Sequence, residues 1–339
     1  MQRQDLACSH GLIRQRVTNP ALGLFGPDSV MWKVAGPLPV VPMMLLEAGL
    51  LEAPHPVIAY GTLGSQSAND FVPRYHRSAD AFYDWFFGDL DTALKTARRV
   101  FGYHSRIHGN LPEDIGGMPK GRHFDANEQD VLIWVWATLI RPLKEYYEHL
   151  YGKLSDAEVG QYYQECRLFA LLFGIDAARL PATWPAFISY FDAVAASPTM
   201  DLSDEFLTRS ALLSGTVTGT FPVRVMTTWL LSICALRLPA RVRRQYPRLP
   251  THRRHRLAAT MSLAAIRVVW PVLPRGAQLS PRCLSAYCRL GGSAPRGRIA
   301  DWLLATLPPP YGRSYAQAGV SLHGNVLNSS HRSVVGAKL

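Results

Sequence analysis

After Glu205 the 339-residue chain holds a single acidic residue, Asp301, against nineteen lysines and arginines. The first 205 residues are the reverse, with 24 acids and 17 bases, so the overall charge of +11 conceals a split along the chain. Its densest part, RLPARVRRQYPRLPTHRRHR from Arg237 to Arg256, has eight arginines and no acid. Such a run seeks phosphate, on nucleic acid or on anionic lipid headgroups. Tyr246 is its only aromatic residue, so the interleaved rings on which single strands stack are missing. A nucleic-acid partner is therefore the weaker reading. A solvated connection, or a face toward anionic lipid, suits the run better.

Cysteine is also scarce. Cys8, Cys166, Cys234, Cys283 and Cys288 are scattered and odd in number, which argues against a disulfide framework. Cys283 and Cys288 have no matching cysteine or histidine pair, which argues against zinc. The opening MQRQDLACSHGLIRQRV lacks an apolar h-region. Reduced thiols and no leader pattern give a cytoplasmic expectation. Long apolar runs are few as well. VMTTWLLSICAL is 12 residues, and LAATMSLAAIRVVWPVL is 17 but contains Arg267 and Pro271. Both argue against spanning a bilayer, while a peripheral membrane contact remains compatible with the arginines between them. No glycine-rich phosphate loop, dinucleotide fingerprint, nucleophile elbow or HExxH zinc motif occurs.

What the chain has is helical periodicity. Residues 81–107 carry an apolar stripe at three- and four-residue steps and stop at Gly109-Asn110-Leu111-Pro112. Asn127 with Asp130 is placed to cap the next helix, which runs through VLIWVWATLI to a kink at Pro142. Ser155-Asp156-Ala157-Glu158 reads as a capping box opening a helix that ends at Gly174. Pro181 and Pro185 frame a turn before AFISYFDAV. Strand signals are weak and no repeat recurs, so the reading is an all-α helical bundle. Residues 1–25 read as an N-terminal extension, 26–309 as one helical domain and 310–339 as a loosely held tail.

The stripe of residues 81–107 contains Leu90, Leu94, Ala97, Phe101, His104 and Ile107. An imidazole there is either a packed core histidine or a ligand to iron in an apolar cleft, and periodicity alone favours the first. Asp84, Asp89 and Asp91 splay over different helix faces and read as solvated.

The order of several motifs resembles the MpaB-type oxygenases, which include the latex-clearing rubber oxygenases. GPDSVMWKV, the apolar helix reaching His55-Pro56, PRYHRS, FFGD with RRVFGYHSRIHG, ANEQDVLIWVWATLI, LSDAEVGQYYQE and LLFGIDAARLP follow in the family's order. The likeness runs from about Gly26 to Tyr190, with a looser echo to the region of Pro281. It implies a globin-like helical core around haem b, with His104 matching the proximal iron ligand. Arg74, Arg77 and Ser78 match the distal arginine, lysine and threonine. It further implies an oxygenase or oxidase that uses dioxygen or peroxide on an apolar substrate, isoprenoid or secondary metabolite. The chain departs from the family at four places. Trp136 stands where relatives have a histidine, and Phe101 and His108 stand where arginines are common. Ile58 falls where the rubber oxygenases' proposed carboxylate base lies. Phe101, Trp136 and His108 are thus expected beside the cofactor with His104, in an altered setting. A haem or lipid binder that has lost turnover is the alternative.

Overall fold

The computed structural model describes residues 3–64, 71–209 and 221–291, without the side chains of residues 71–73 and 222. The tail expected at residues 310–339 lies outside them. Among the described residues the chain forms fifteen α-helices, a few short 3-10 turns and one small sheet. The fold is mostly α.

The centre is a pair of helices, α3 (Val40–Glu52) and α7 (Gln129–Tyr151), which follow α1 (Arg3–Arg16) and α2 (Val30–Ala35) in the chain. α3, VVPMMLLEAGLLE, is apolar nearly all round, as suits a helix buried on most faces. α7 buries Trp134, Trp136, Ala137, Thr138 and Leu139 in succession, so protein covers every side of it. Pro142 sits inside α7 without dividing it. α4 (Pro56–Gly64), α5 (Phe71–Phe87) and α6 (Leu90–His104) stand to one side of the pair, with α5 packing on both α3 and α6. After α6, strands β1 (His108–Asn110) and β2 (His123–Asp125) pair antiparallel, with His108 opposite Asp125.

α8 (Asp156–Ala170) and α9 (Trp184–Ala196) cover the other side of α7. The capping box that opens α8 is present, Ser155 and Glu158 each satisfying the other's backbone N–H. α10 (Asp204–Arg209), α11 (Phe221–Arg237), α12 (Ala240–Arg244), α13 (Arg253–Val269), α14 (Arg275–Gln278) and α15 (Pro281–Arg289) complete the described chain. α11 enters the core through Arg237, whose guanidinium bonds Glu47 Oε2 at 2.9 Å and also reaches Glu145. Tyr146 donates to the same Glu47 oxygen at 2.6 Å. A carboxylate buried in α3 is thereby paired and hydrogen-bonded, as burial of a charge requires.

Three local expectations need correction. The single helix expected over residues 81–107 is two helices with a corner at Gly88-Asp89. Asp89 is extended and its carboxylate accepts from Thr92 N at 2.7 Å, which caps α6. A Cβ on Gly88 would lie 2.4 Å from Asp84 O, so this corner needs glycine. The apolar stripe stays in phase across the corner because both helices face one core, and that concealed the break. Asp84, Asp89 and Asp91 are not idle either: Asp84 accepts from Thr96, Asp89 caps α6 and Asp91 pairs with Arg14. Finally, Asn127 does not cap α7. It is buried and donates to Ser105 Oγ at 3.3 Å, while Glu128 holds the N-cap position.

Candidate functional site

The last residues of α3 and α6, Glu52 and His104, border one polar cluster with Arg74 of α5 and Thr138 of α7. His104, Arg74 and Glu52 each retain some accessible surface, yet each lies deep among protein atoms. All three are thus partly accessible groups closely surrounded by protein.

His104 closes α6 because the chain turns at Ser105, whose hydroxyl donates back to Phe101 O at 2.8 Å. No described group hydrogen-bonds the His104 ring. Burial and, less strongly, Arg74 push its pKa down to about 4 against the opposing charge of Asp125 on β2. The imidazole is therefore neutral at physiological pH, with a lone pair available to a ligand.

Arg74 is the more unusual group. Its guanidinium makes neither a hydrogen bond nor an ion pair among the described residues. Burial lowers its pKa, the charges of Glu52 and Tyr103 raise it, and Arg77 lowers it. A half-buried guanidinium with five donors that the protein leaves unused is an anion-seeking group.

Glu52 was not among the residues that the family's spacing singles out. Its Oε1 stands 2.8 Å from Thr138 Oγ1, and that hydroxyl also stands 2.7 Å from Val135 O. One hydroxyl proton cannot serve two acceptors. Both contacts are satisfied when Glu52 carries the proton and donates to Thr138, which then donates to Val135 O. The electrostatics agree. Burial raises the Glu52 pKa to about 7, and the Thr138 contact and Arg74 moderate the rise. The sequence held a signal for this residue: Glu47 and Glu52 are the only charged residues between Val34 and Asn69. Glu47 is neutralised by Arg237; Glu52 has no ion pair and faces Arg74 at longer range.

The other expected site residues separate into two groups. Phe101 is buried one turn before His104 and places an apolar ring where the family often has an arginine. Arg77 is exposed but its charge acts on Arg74, and Ser78, one turn after Arg74 on α5, is half-buried without a described hydrogen bond. His108 is exposed on β1, 6.2 Å from the His123 ring, and stands apart from His104. Trp136 is set in the core beside α8 and α9. Its indole donates to Cys166 O at 2.9 Å and packs on Phe187 and Tyr163, whose ring centroids lie 5.4 and 6.2 Å away. Two residues along a helix is about 200°, so Trp136 faces α8 and α9 while Thr138 faces Glu52. It fills the aromatic core between these helices. His55 is buried with its Nδ1 unpaired, but its charged neighbours are Glu128, Arg122 and Asp130.

Residues 32–268 match the family described as ER-bound oxygenase mpaB/B'/Rubber oxygenase, catalytic domain. The chain belongs to this family. The match spans every member of the Glu52–Arg74–His104–Thr138 cluster, so the cluster lies within an oxygenase catalytic domain. No curated protein and no solved structure matches the chain. Among the described residues no three His, Cys, Asp or Glu side chains gather as a metal site. No described helix is long and apolar enough to cross a membrane.

Proposed function

We propose that this oxygenase is haem b-dependent, with His104 as the single protein ligand to iron and an apolar, isoprenoid-like substrate beside it. One observation carries the reading. His104 and Arg74, the two residues the family motifs assign to opposite sides of a haem, are both enclosed and both without hydrogen-bond partners. Both keep accessible surface, so an entering ligand would meet an imidazole nitrogen and guanidinium donors that the protein does not use. An axial histidine in an apolar setting is what haem requires, and Phe101 with the neighbouring apolar faces of α3 and α5 supplies that setting.

Bound there, haem would supply an iron centre able to activate dioxygen or peroxide. The chain's own residues account for the rest. His104, neutral and unpaired, offers a nitrogen to the metal, and Asp125 is the one acid that acts on the ring. Arg74 presents fixed positive charge where negative charge develops on an oxygen of the reacting group. Glu52 holds a proton at its carboxyl and, through Thr138, can release or recover it near neutral pH. Arg77, exposed on α5, adds its charge to the setting of Arg74.

The second reading, a binder without turnover, draws on the exposure of Arg77 and on the lack of a described partner for Ser78. Oxygen uptake by the haem-loaded protein with a polyisoprenoid separates the two. Uptake that Arg74→Met abolishes supports the oxygenase; haem binding with no uptake on any alkene substrate supports the binder.

A further inference from the structure

Among the described residues eleven large apolar side chains are strongly exposed, and nine of them lie between Phe221 and Val272. α13 concentrates the pattern. Its inner face, with Ala259 buried and Leu263 and Ile266 half-buried, packs on the core. A surface helix that buries one stripe is ordinarily polar on the opposite side. α13 instead exposes Leu257 (59%), Met261 (63%) and Val268 (74%), four and eleven residues apart and hence on one face. Val272 (78%) extends the stripe past the helix end, and α11, with Phe221 exposed at its start, is tied alongside by Trp229 Nε1 donating to Ser262 Oγ at 2.7 Å.

The charge around this stripe has one sign. Residues 221–291 contain thirteen arginines and no acid. Arg253 and Arg254 sit on the N-terminal turn of the same α13 face, and Arg256 and Arg267 flank it. All four are exposed and none makes an ion pair among the described residues.

We infer that the outer face of α13, with the start of α11, docks the protein on an anionic lipid surface. The aliphatic stripe enters the headgroup–acyl boundary, and the flanking arginines bind lipid phosphates and carboxylates. Charge complementarity selects this occupant over the others. A second copy meeting the first through this face would oppose arginine to arginine. Nucleic acid would satisfy the arginines but leave leucine, methionine and valine against water or phosphate. Only a bilayer surface offers negative charge and hydrocarbon side by side. The opposite side of α13 contacts α7, where His149 bonds Leu263 O at 3.1 Å.

Co-sedimentation of the full chain with vesicles tests this inference without reference to haem or activity. Its failure would leave the oxygenase proposal standing. The protein is expected to bind phosphatidylcholine vesicles containing phosphatidylserine, to release as salt rises, and to ignore phosphatidylcholine alone. Replacing Arg253, Arg254 and Arg256 together with glutamine should weaken binding on the order of 100-fold, from the usual contribution of each basic residue. Leu257→Ser with Val268→Ser should weaken it with the arginines intact and far-UV circular dichroism unchanged. Three results would overturn the inference: no binding to anionic vesicles; binding that neither variant alters, as when another part of the chain covers this face; or preference for duplex DNA or RNA over vesicles.

Discussion

Thr138 Oγ1 lies 2.8 Å from Glu52 Oε1 and 2.7 Å from Val135 O, an arrangement with one hydroxyl proton for two acceptors. A protonated Glu52 resolves it and joins α3 to α7 by a short relay of two hydrogen bonds. Ionising Glu52 forces the Thr138 proton to turn away from Val135. The protonation state of one carboxyl thus sets the hydrogen bonding at the centre of the fold.

Glu52→Gln tests that state through stability. A carboxyl whose folded pKa is raised to about 7, from the usual 4.5, favours folding below the unfolded value and loses that contribution as pH rises through 7. The loss amounts to about 3 kcal/mol by pH 8. Glutamine is fixed in the neutral form. Chemical denaturation should therefore find the variant close to wild type at pH 4.5 and more stable at pH 8. Equal differences at both pH values would contradict a raised pKa.

Arg74→Met removes the cation that acts on both of its neighbours. The Glu52 midpoint should rise, because a cation that favoured its charged form is gone. The His104 midpoint should rise too, because a cation that opposed its protonation is gone. NMR titration of the two side chains would show both shifts in the same direction. A shift of only one would mean that Arg74 does not face the pair.

Trp136→Phe separates packing from cofactor binding. The variant loses the bond to Cys166 O and part of a fully buried ring, at a cost of about 1–3 kcal/mol. Haem content per protein should match wild type. Reduced haem content at unchanged stability would return Trp136 to the cofactor's side of α7.

Much of this was legible in the sequence, for identifiable reasons. The helical class followed from periodicity, and the α8 start from Ser155 and Glu158, because caps are local chemistry. His104 and Arg74 followed from the order of motifs, and α5 and α6 bring them to one cluster. The α5–α6 corner was hidden because its stripe keeps phase. Glu52 was hidden because a search by spacing looked near Ile58, six residues further along the chain, and only tertiary packing shows that the end of α3 faces Arg74. The reverse held for Trp136. The sequence placed it in the motif, but which side of α7 it faces depends on α8 and α9, whose packing no motif records.

The central claim is that His104 holds a haem iron, and an absorption spectrum with pyridine-haemochrome analysis of the purified, haem-loaded protein tests it most directly. The account predicts a Soret band with about one haem b per chain. His104→Ala should lose that band while its far-UV circular dichroism stays native. A wild-type protein with no Soret band after loading, or a His104→Ala variant with an unchanged spectrum, would contradict it.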